Sequence, residues 1–340
     1  MNTLVLGGSV FVGRHMVGHL LDAGHQVTVL NRGRTPTELP EGVGRLVADR
    51  TDAAQVAAAL GGCDWDCVFD ISGFVMAAGG VDVDALVDCF DGHCGRYVYV
   101  SSEMAYDQAL LGVMPWTEDM ATNTGGPATY GGFKALVEAT LLQRWRSRGF
   151  PATVVRPAAI YGPDNNIFDM ETPMWLRLAQ HRPVILPHSG MVAHSYGHVD
   201  DLCRAMLLMA TSDAAPGQVF NVSAEAVTTR HYVEVLSGIV GVEPDIVEIA
   251  DAELAGLDRA PFGHLFGRVH HNIVSSDKAR RLLGFEPSID FRTGHTGTYE
   301  WFRERGWDRL DGPLHDPLWR ASWDFEWEGE VAGRLRAKSL

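Results

Sequence analysis

The chain has 340 residues, of which 46% are hydrophobic and 21% charged, and its formal net charge is −15. These values predict a globular protein with a large core, built as one domain or two interleaved ones. The acidic charge argues against nucleic-acid and anionic-membrane partners, and no apolar run is long enough to span a membrane. We therefore expect a cytoplasmic protein with neither kind of partner.

The N-terminus predicts a strand, a glycine turn, a helix and a second strand. An apolar run at 4–6 precedes the glycines, a helix-like stretch covers about 11–23, and a second apolar run covers 26–30. In such a unit the backbone amides of the turn and the helix N-terminus receive a dinucleotide pyrophosphate. This predicts a dinucleotide-binding loop comprising Gly7, Gly8, Ser9, Val10, Phe11, Val12 and Gly13.

Apolar runs and helix-period stretches continue to alternate to about residue 160. The predicted strands are 2–7, 26–30, 44–48, 66–71, 96–101 and 152–156, and a later strand at 219–222 is expected to return to the same sheet. This pattern predicts an α/β fold, a Rossmann-type doubly wound parallel sheet with a smaller substrate-binding lobe. A ligand should bind at the carboxyl ends of the strands.

The expected domain organisation has three parts. Residues 1–162 and about 196–223 form the dinucleotide-binding domain, and about 163–195 with 224–310 form the substrate-binding lobe. Residues 311–340, which contain several tryptophans, form a C-terminal extension. We expect that extension to pack on the protein or to form an interface, with a flap over the substrate as the alternative.

Tyr130 and Lys134 form the most informative pair in the chain, which contains three lysines. On a helix, residues four apart lie on the same face. An ammonium beside a phenol favours the phenolate and lowers its pKa from about 10. A tyrosine in that setting can transfer protons near neutral pH, so the pair indicates carbonyl–alcohol chemistry, with a surface Tyr/Lys pair as the alternative.

The chain resembles the extended branch of the short-chain dehydrogenase/reductase superfamily over about residues 1–310. The motifs that carry the resemblance are the glycine loop, Tyr97 to Ser102, Tyr130 with Lys134, 155–157, 161–163 and 198–201. Val10 stands where that branch has a loop glycine. The loop is similar to that of an atypical subgroup that includes the chloroplast stem-loop-binding proteins, for most of which the substrate is undefined.

The resemblance implies a nicotinamide cofactor, and the end of the second strand indicates which one. An acidic residue there favours NAD, whereas this chain has Asn31 and Arg32, with Arg34 nearby. Guanidinium groups bind phosphate well, so we expect NADP, with NAD as the alternative. By resemblance, the cofactor site also includes Asp49, Arg50, Ser72, Gly73, Tyr130, Lys134, Pro157 and Ala159.

The resemblance also assigns catalytic roles to Ser102, Tyr130 and Lys134. Ser102 would bind the reacting oxygen, Tyr130 would transfer the proton, and Lys134 would hold the nicotinamide ribose. The substrate would contact Glu103, Met104, His194 and Arg268. A 4,6-dehydratase is disfavoured because Met104 replaces the second carboxylate of those enzymes, and His194 replaces a diphosphate-binding arginine of nucleotide-sugar enzymes.

The sequence thus predicts an NAD(P)-dependent reductase or epimerase acting on a small polar molecule, sugar-like or a secondary metabolite. The alternatives are a nucleotide-sugar epimerase with tightly bound NAD, and a non-catalytic dinucleotide-binding or RNA-associated protein. No metal is expected, because neither the five cysteines nor the pair His15 and His19 suggests a full ligand set. The helix from Tyr130 to about Ser147 would suit packing on the sheet or homodimerisation, and the sequence leaves both open.

Overall fold

The computed structural model describes residues 1–34, 38–71, 82–107, 109, 112–126, 128–165, 171–258, 270–306 and 324–338. Contacts divide the chain into two compact units. The first unit comprises 1–160, 199–223 and 274–288, and the second comprises 161–198, 224–273 and 289–340.

The described residues form twelve β-strands. They are β1 (Asn2–Leu6), β2 (Gln26–Asn31), β3 (Gly44–Val47), β4 (Cys67–Asp70), β5 (Tyr97–Val100), β6 (Ala152–Pro157), β7 (Ala159–Tyr161), β8 (Val184–Pro187), β9 (Ala193–His198), β10 (Val219–Val222), β11 (Glu225–Thr228) and β12 (Ile246–Ile249).

The same residues form eleven α-helices. They are α1 (Phe11–Asp22), α2 (Ala53–Leu60), α3 (Val83–Asp88), α4 (Tyr130–Arg148), α5 (Glu171–Ala179), α6 (Val199–Thr211), α7 (Thr229–Val240), α8 (Asp251–Leu254), α9 (Asp277–Leu283), α10 (Phe291–Glu304) and α11 (Phe325–Lys338). None of these helices is both long and apolar enough to cross a bilayer.

Seven strands of the first unit form one parallel sheet in the order β10-β6-β5-β4-β1-β2-β3. Strands β4, β5 and β10 have four residues each, and all of these residues are buried, as expected of strands covered by helices on both faces. The strand order reverses between β1 and β4, which is where doubly wound folds bind ligands. The predicted fold class is confirmed.

Helix α4 packs against this sheet with defined ends. Thr129 accepts a hydrogen bond from the Gly132 amide and begins the helix, and Gly149, with φ of 73°, ends it. Val137 and Leu141 are buried in the core of the first unit, whereas Leu136 is 44% exposed. Packing on the sheet therefore buries most of the apolar face of α4, which the sequence suited equally to sheet packing or to homodimerisation.

Two small sheets have the orders β11-β9-β7 and β12-β8, and the second unit contains all of their strands except most of β7. Aromatic side chains fill much of the core of the second unit: the ring centroid of Tyr161 is 3.8 Å from that of His295, and Trp175 lies 4.8 Å from Tyr299. Helix α11 is anchored to α5 by a buried ion pair of Arg177 with Glu328.

The division into units differs from the expected domains at two places. Residues 274–288 belong to the first unit rather than to the lobe, because Ser276 bonds Ser223 and Arg204 bonds the carbonyl of Glu286. The described part of the C-terminal extension, 324–338, belongs to the second unit, where α11 also pairs Arg336 with Asp245.

Candidate active site

The glycine loop follows β1 at the point where the strand order reverses. Gly7 and Gly8 have φ of 120° and 76°, and the Gly7 amide donates to the carbonyl of Leu30 at 3.0 Å. A Cβ at Gly8 would lie 2.8 Å from a methyl of Val29, and one at Gly13 would lie 2.5 Å from the Gly8 nitrogen. No other residue type fits these positions without movement, so loop, strand and α1 are packed as closely as the sequence predicts.

The N-terminus of α1 faces the same loop. Val10 is the N-cap residue, has extended backbone and caps no helix amide with its side chain. Beside the loop lies a cavity of about 300 Å³, lined by Gly8, Arg14, Val17, Glu38, Leu39 and Pro40. This arrangement offers backbone amides and an adjoining space, as a bound pyrophosphate requires.

The end of β2 is joined to the loop by Asn31. Its amide nitrogen donates to Ser9 Oγ at 2.9 Å, and its oxygen accepts from the Gly33 amide at 2.9 Å. Arg32 and Arg34 are exposed. Hydrogen bonds from Thr51 lower the pKa of Asp49, and the charges of Arg32 and Arg34 lower it further. The predicted residues Asn31, Arg32, Arg34 and Asp49 therefore lie in one region.

Arg50, which was predicted to contact the cofactor, pairs with a carboxylate inside the protein. Its guanidinium forms a bidentate ion pair with Asp70, with Nη1 2.7 Å from Oδ1 and Nη2 2.8 Å from Oδ2, and Arg50 is 6% exposed. Tyr97 donates to the same carboxylate at 2.7 Å. A paired, buried guanidinium of this kind supports the sheet from within and presents little surface to a cofactor.

Ser102 and Tyr130 meet at the carboxyl end of β5. Ser102 begins a short 3₁₀ turn, Glu103–Ala105, by accepting a hydrogen bond from the Met104 amide at 3.1 Å. Its side chain also hydrogen-bonds Tyr130, the first residue of α4. The structure thus brings together two of the three predicted catalytic residues.

Lys134 is the third, and it is 2% exposed. Its Nζ donates to the carbonyl of Val100 at 2.6 Å and lies 4.9 Å from the ring centroid of Tyr99 and 5.6 Å from that of Tyr130. Burial lowers the pKa of Lys134 to about 8. The ammonium is therefore held one turn from Tyr130 and remains protonated at neutral pH.

The expectation that Lys134 lowers the pKa of Tyr130 is wrong for this structure. Burial raises the pKa of Tyr130 to about 12, the bond to Ser102 lowers it, and the carboxylate of Glu103 raises it. The ammonium is engaged by Val100 and faces the ring of Tyr130 rather than acting on its hydroxyl. Tyr130 is accordingly a protonated phenol here.

Two glycines after Tyr130 make this geometry possible, and the sequence analysis missed them. A Cβ at Gly131 would lie 2.0 Å from the carbonyl oxygen of Met104, and one at Gly132 would lie 2.2 Å from that of Gly126. The first turn of α4 therefore touches the backbone of the turn that follows Ser102. The Gly-Gly pair could have predicted this contact from the sequence, because glycine is unfavourable inside a helix unless another backbone approaches closely.

The remaining predicted residues differ in placement. Glu103 is 5% exposed, and Met104 contributes its backbone to the turn. Pro157 ends β6, and Ala159 begins β7. His194 lies in β9 of the second unit and is 2% exposed, and its backbone forms a β-bridge with Asn272. Ser72, Gly73 and Arg268 lie outside the described residues.

His15 and His19 share a partner that the sequence did not reveal. Nδ1 of His15 lies 2.7 Å, and Nε2 of His19 3.0 Å, from the same oxygen of Asp200 on α6. Within the described residues, no group of three or more potential ligands is arranged to hold a metal ion. These three side chains therefore join α1 to α6.

The chain is similar to known proteins over most of its length. The sequence model of the "NAD dependent epimerase/dehydratase family" matches residues 3–223. The chain is 30% identical over 313 residues to the chloroplast stem-loop binding protein of 41 kDa b from Arabidopsis thaliana, covering 87% of this chain and 78% of that protein. It is 26% identical to a dTDP-glucose 4,6-dehydratase from Streptomyces antibioticus, covering 93% and 98%.

A similar fold occurs in a solved structure of UDP-glucose 4-epimerase with UDP-glucose from Thermotoga maritima. The TM-score is 0.76 at 23% identity, and the match covers 89% of this chain and 99% of the epimerase.

Proposed function

The chain belongs to the NAD dependent epimerase/dehydratase family, and from this premise we propose that it is a nicotinamide-dependent reductase or epimerase. It would transfer hydride at a hydroxyl or keto carbon of a small polar substrate, sugar-like or a secondary metabolite. The observation that carries this proposal is the hydrogen-bonded pair of Ser102 and Tyr130, with Lys134 one helical turn away.

The residues present fit a dinucleotide. The close packing of Gly8 and Gly13 leaves the loop backbone and the start of α1 available to a pyrophosphate, next to the cavity. Asn31, Arg32 and Arg34 would hold the adenosine ribose. When bound, the nicotinamide supplies or accepts the hydride.

Within the protein, Ser102 would orient the reacting oxygen and Tyr130 would move the proton. Because the pKa of Tyr130 is about 12, the phenol carries its proton at neutral pH and can donate it to a substrate oxygen. Lys134, protonated below about pH 8, provides positive charge beside that step.

We propose NADP as the preferred cofactor, with NAD as the alternative. The support is that Arg32 and Arg34 are exposed at the end of β2, where the 2′ position of the ribose is bound in this type of fold. Both lower the pKa of Asp49 electrostatically, so each guanidinium group lies within electrostatic range of that carboxylate.

A 4,6-dehydratase remains disfavoured, although several of the similar proteins are dTDP-glucose 4,6-dehydratases. Elimination of water in that reaction uses two carboxylates after the serine or threonine, whereas this chain has Glu103 followed by Met104. Glu103 is buried, and its carboxylate raises the pKa of Tyr130. It can therefore affect proton transfer, but no second carboxylate follows it to complete the acid/base pair that the elimination uses.

The alternatives are a nucleotide-sugar epimerase with tightly bound NAD, and a non-catalytic dinucleotide-binding or RNA-associated protein; the similar proteins include a UDP-glucose 4-epimerase and a stem-loop binding protein. The stem-loop function conflicts with the net charge of −15, which would repel nucleic acid.

Replacing Tyr130 with Phe separates catalytic from non-catalytic roles. Turnover of ketones with NADPH should fall by about 10²–10⁴-fold, while dinucleotide affinity stays near that of the wild type. Tyr106→Phe, which removes a buried hydroxyl bonded to Asn221, is the control. Unchanged turnover in Tyr130→Phe would rule out this tyrosine as the proton donor.

A further inference from the structure

Helix α4 carries three polar residues at intervals of four: Tyr130, Lys134 and Glu138. This spacing places them on one face. The Ser101 hydroxyl donates to Oε1 of Glu138, and Lys134 Nζ donates to the carbonyl of Val100. Because Val100 and Ser101 directly precede Ser102, these two buried hydrogen bonds fasten the end of β5 to the helix that bears Tyr130.

Glu138 is itself held by Arg156 on β6. Nε of Arg156 lies 3.0 and 3.1 Å from the two carboxylate oxygens, and Nη2 lies 2.5 Å from Oε2. Both side chains are 3% exposed. The guanidinium also lies 4.4 Å from the ring centroid of Tyr106. The carboxylate is thus fixed in position from the strand side.

Three charged groups act electrostatically on Lys134. Besides burial, which lowers its pKa most, Asp70 at the end of β4 raises it, Arg50 lowers it, and Glu138 on the same helix raises it. The rings of Tyr99 and Tyr130 complete its surroundings. Both carboxylates are paired with an arginine, Asp70 with Arg50 and Glu138 with Arg156.

We propose that Glu138, anchored by Arg156, is a positioning residue for Lys134: its bonds to Ser101 and Arg156 fix the helix that carries the buried ammonium, and it places a carboxylate one turn further along that helix. The proposal rests on the proposed function in one respect, that Lys134 belongs to the proton-transfer group. A purely structural ion pair would stabilise the fold and leave the titration of Lys134 unchanged.

The three lysines make a direct test practical. In protein labelled isotopically at the lysine Cε carbon, nuclear magnetic resonance gives one signal each for Lys134, Lys278 and Lys338, and Lys134→Arg assigns the first. The pH titration is recorded without cofactor or substrate. In the wild type, Lys134 should titrate near pH 8.

Glu138→Gln should move the Lys134 midpoint to lower pH, because an attractive anion is lost while an acceptor for Ser101 is kept. Glu328→Gln is the matched control: it breaks another buried Arg–Glu pair, with Arg177, whose side chains are 2% and 3% exposed. That variant should leave the Lys134 midpoint unchanged. An unchanged or raised midpoint in Glu138→Gln would overturn the proposal.

The single variant leaves Arg156 buried without its partner and could fail to fold. The double variant Glu138→Gln with Arg156→Met then takes its place. Because this variant removes the cation paired with Glu138 together with the anion, a downward shift smaller than that of Glu138→Gln alone is expected. No shift would again overturn the proposal. A shift in a protein that binds no dinucleotide would uphold this inference while the proposed function fails.

Discussion

Gly13 approaches Gly8 so closely that a Cβ at position 13 would lie 2.5 Å from the Gly8 nitrogen and 2.8 Å from its Cα. Both partner atoms belong to the backbone of the loop, so no side-chain rotation can relieve the contact. The shape of the proposed pyrophosphate site therefore depends on the absence of a side chain on α1.

Gly13→Ala should displace the loop from α1. Overpacking against backbone predicts a loss of about 1–3 kcal/mol in the free energy of unfolding, together with loss of dinucleotide binding. Gly18→Ala is the control on the same helix, since a Cβ there meets nothing within 4 Å, and it should stabilise by about 0.5–1 kcal/mol. Urea unfolding and calorimetric titration measure the two effects. Wild-type affinity in Gly13→Ala would contradict this view of the loop.

Gly131→Ala should separate Tyr130 from Ser102. The added Cβ would lie 2.0 Å from the carbonyl oxygen of Met104, so the first turn of α4 must move away from the turn after β5. A misplacement of about 1 Å can cost on the order of 100-fold in rate, and we expect a loss of turnover of that size. Gly297→Ala on α10, where a Cβ meets nothing within 4 Å, is the control. Equal turnover in the two variants would refute the importance of this contact.

The sheet was predictable because its signals are local. Buried runs such as 67–70 and 97–100 are apolar, and the glycine loop directly follows the first of the strands. The ion pairs were not predictable, because Arg50 with Asp70 and Glu138 with Arg156 join residues that are distant in sequence. The pKa of Tyr130 depends on burial and on Glu103, which spacing alone does not reveal.

Arg32→Ala and Arg34→Ala should each weaken NADP binding. Loss of a charge-assisted bond to a 2′-phosphate costs about 1.5–3 kcal/mol, which is roughly a tenfold or greater loss of affinity, whereas NAD affinity should change little. Arg45→Ala removes an exposed charge from β3 and should affect neither. Competition titrations with both cofactors measure the ratio. If both arginine variants keep the wild-type NADP:NAD ratio, the proposed preference is wrong.

Glu171 makes stability depend on pH. The residue is 2% exposed, and burial raises its pKa from 4.5 to about 7, against hydrogen bonds from Asn165 and Gly162 that lower it. Between these values the folded state binds more protons than the unfolded state. The stabilisation is complete below pH 4.5 and is lost as pH rises through about 7, on the order of 3 kcal/mol.

Glu171→Gln removes this titration, because glutamine resembles the protonated acid. The variant should be more stable than the wild type above about pH 7, and the difference should shrink toward pH 4.5. Glu326→Gln, at an exposed position of α11, should leave the pH dependence unchanged. Urea unfolding across this range gives both curves, and parallel curves for wild type and Glu171→Gln would be inconsistent with a buried, titrating carboxyl.

We propose that this protein binds a nicotinamide dinucleotide at the glycine loop and uses it with Tyr130. A calorimetric titration of cofactor-stripped protein with NADP and NAD, repeated on Tyr130→Phe and Gly13→Ala, tests this. We expect saturable binding, tighter for NADP, that Tyr130→Phe retains and Gly13→Ala loses. Binding of neither cofactor by the wild-type protein would contradict it.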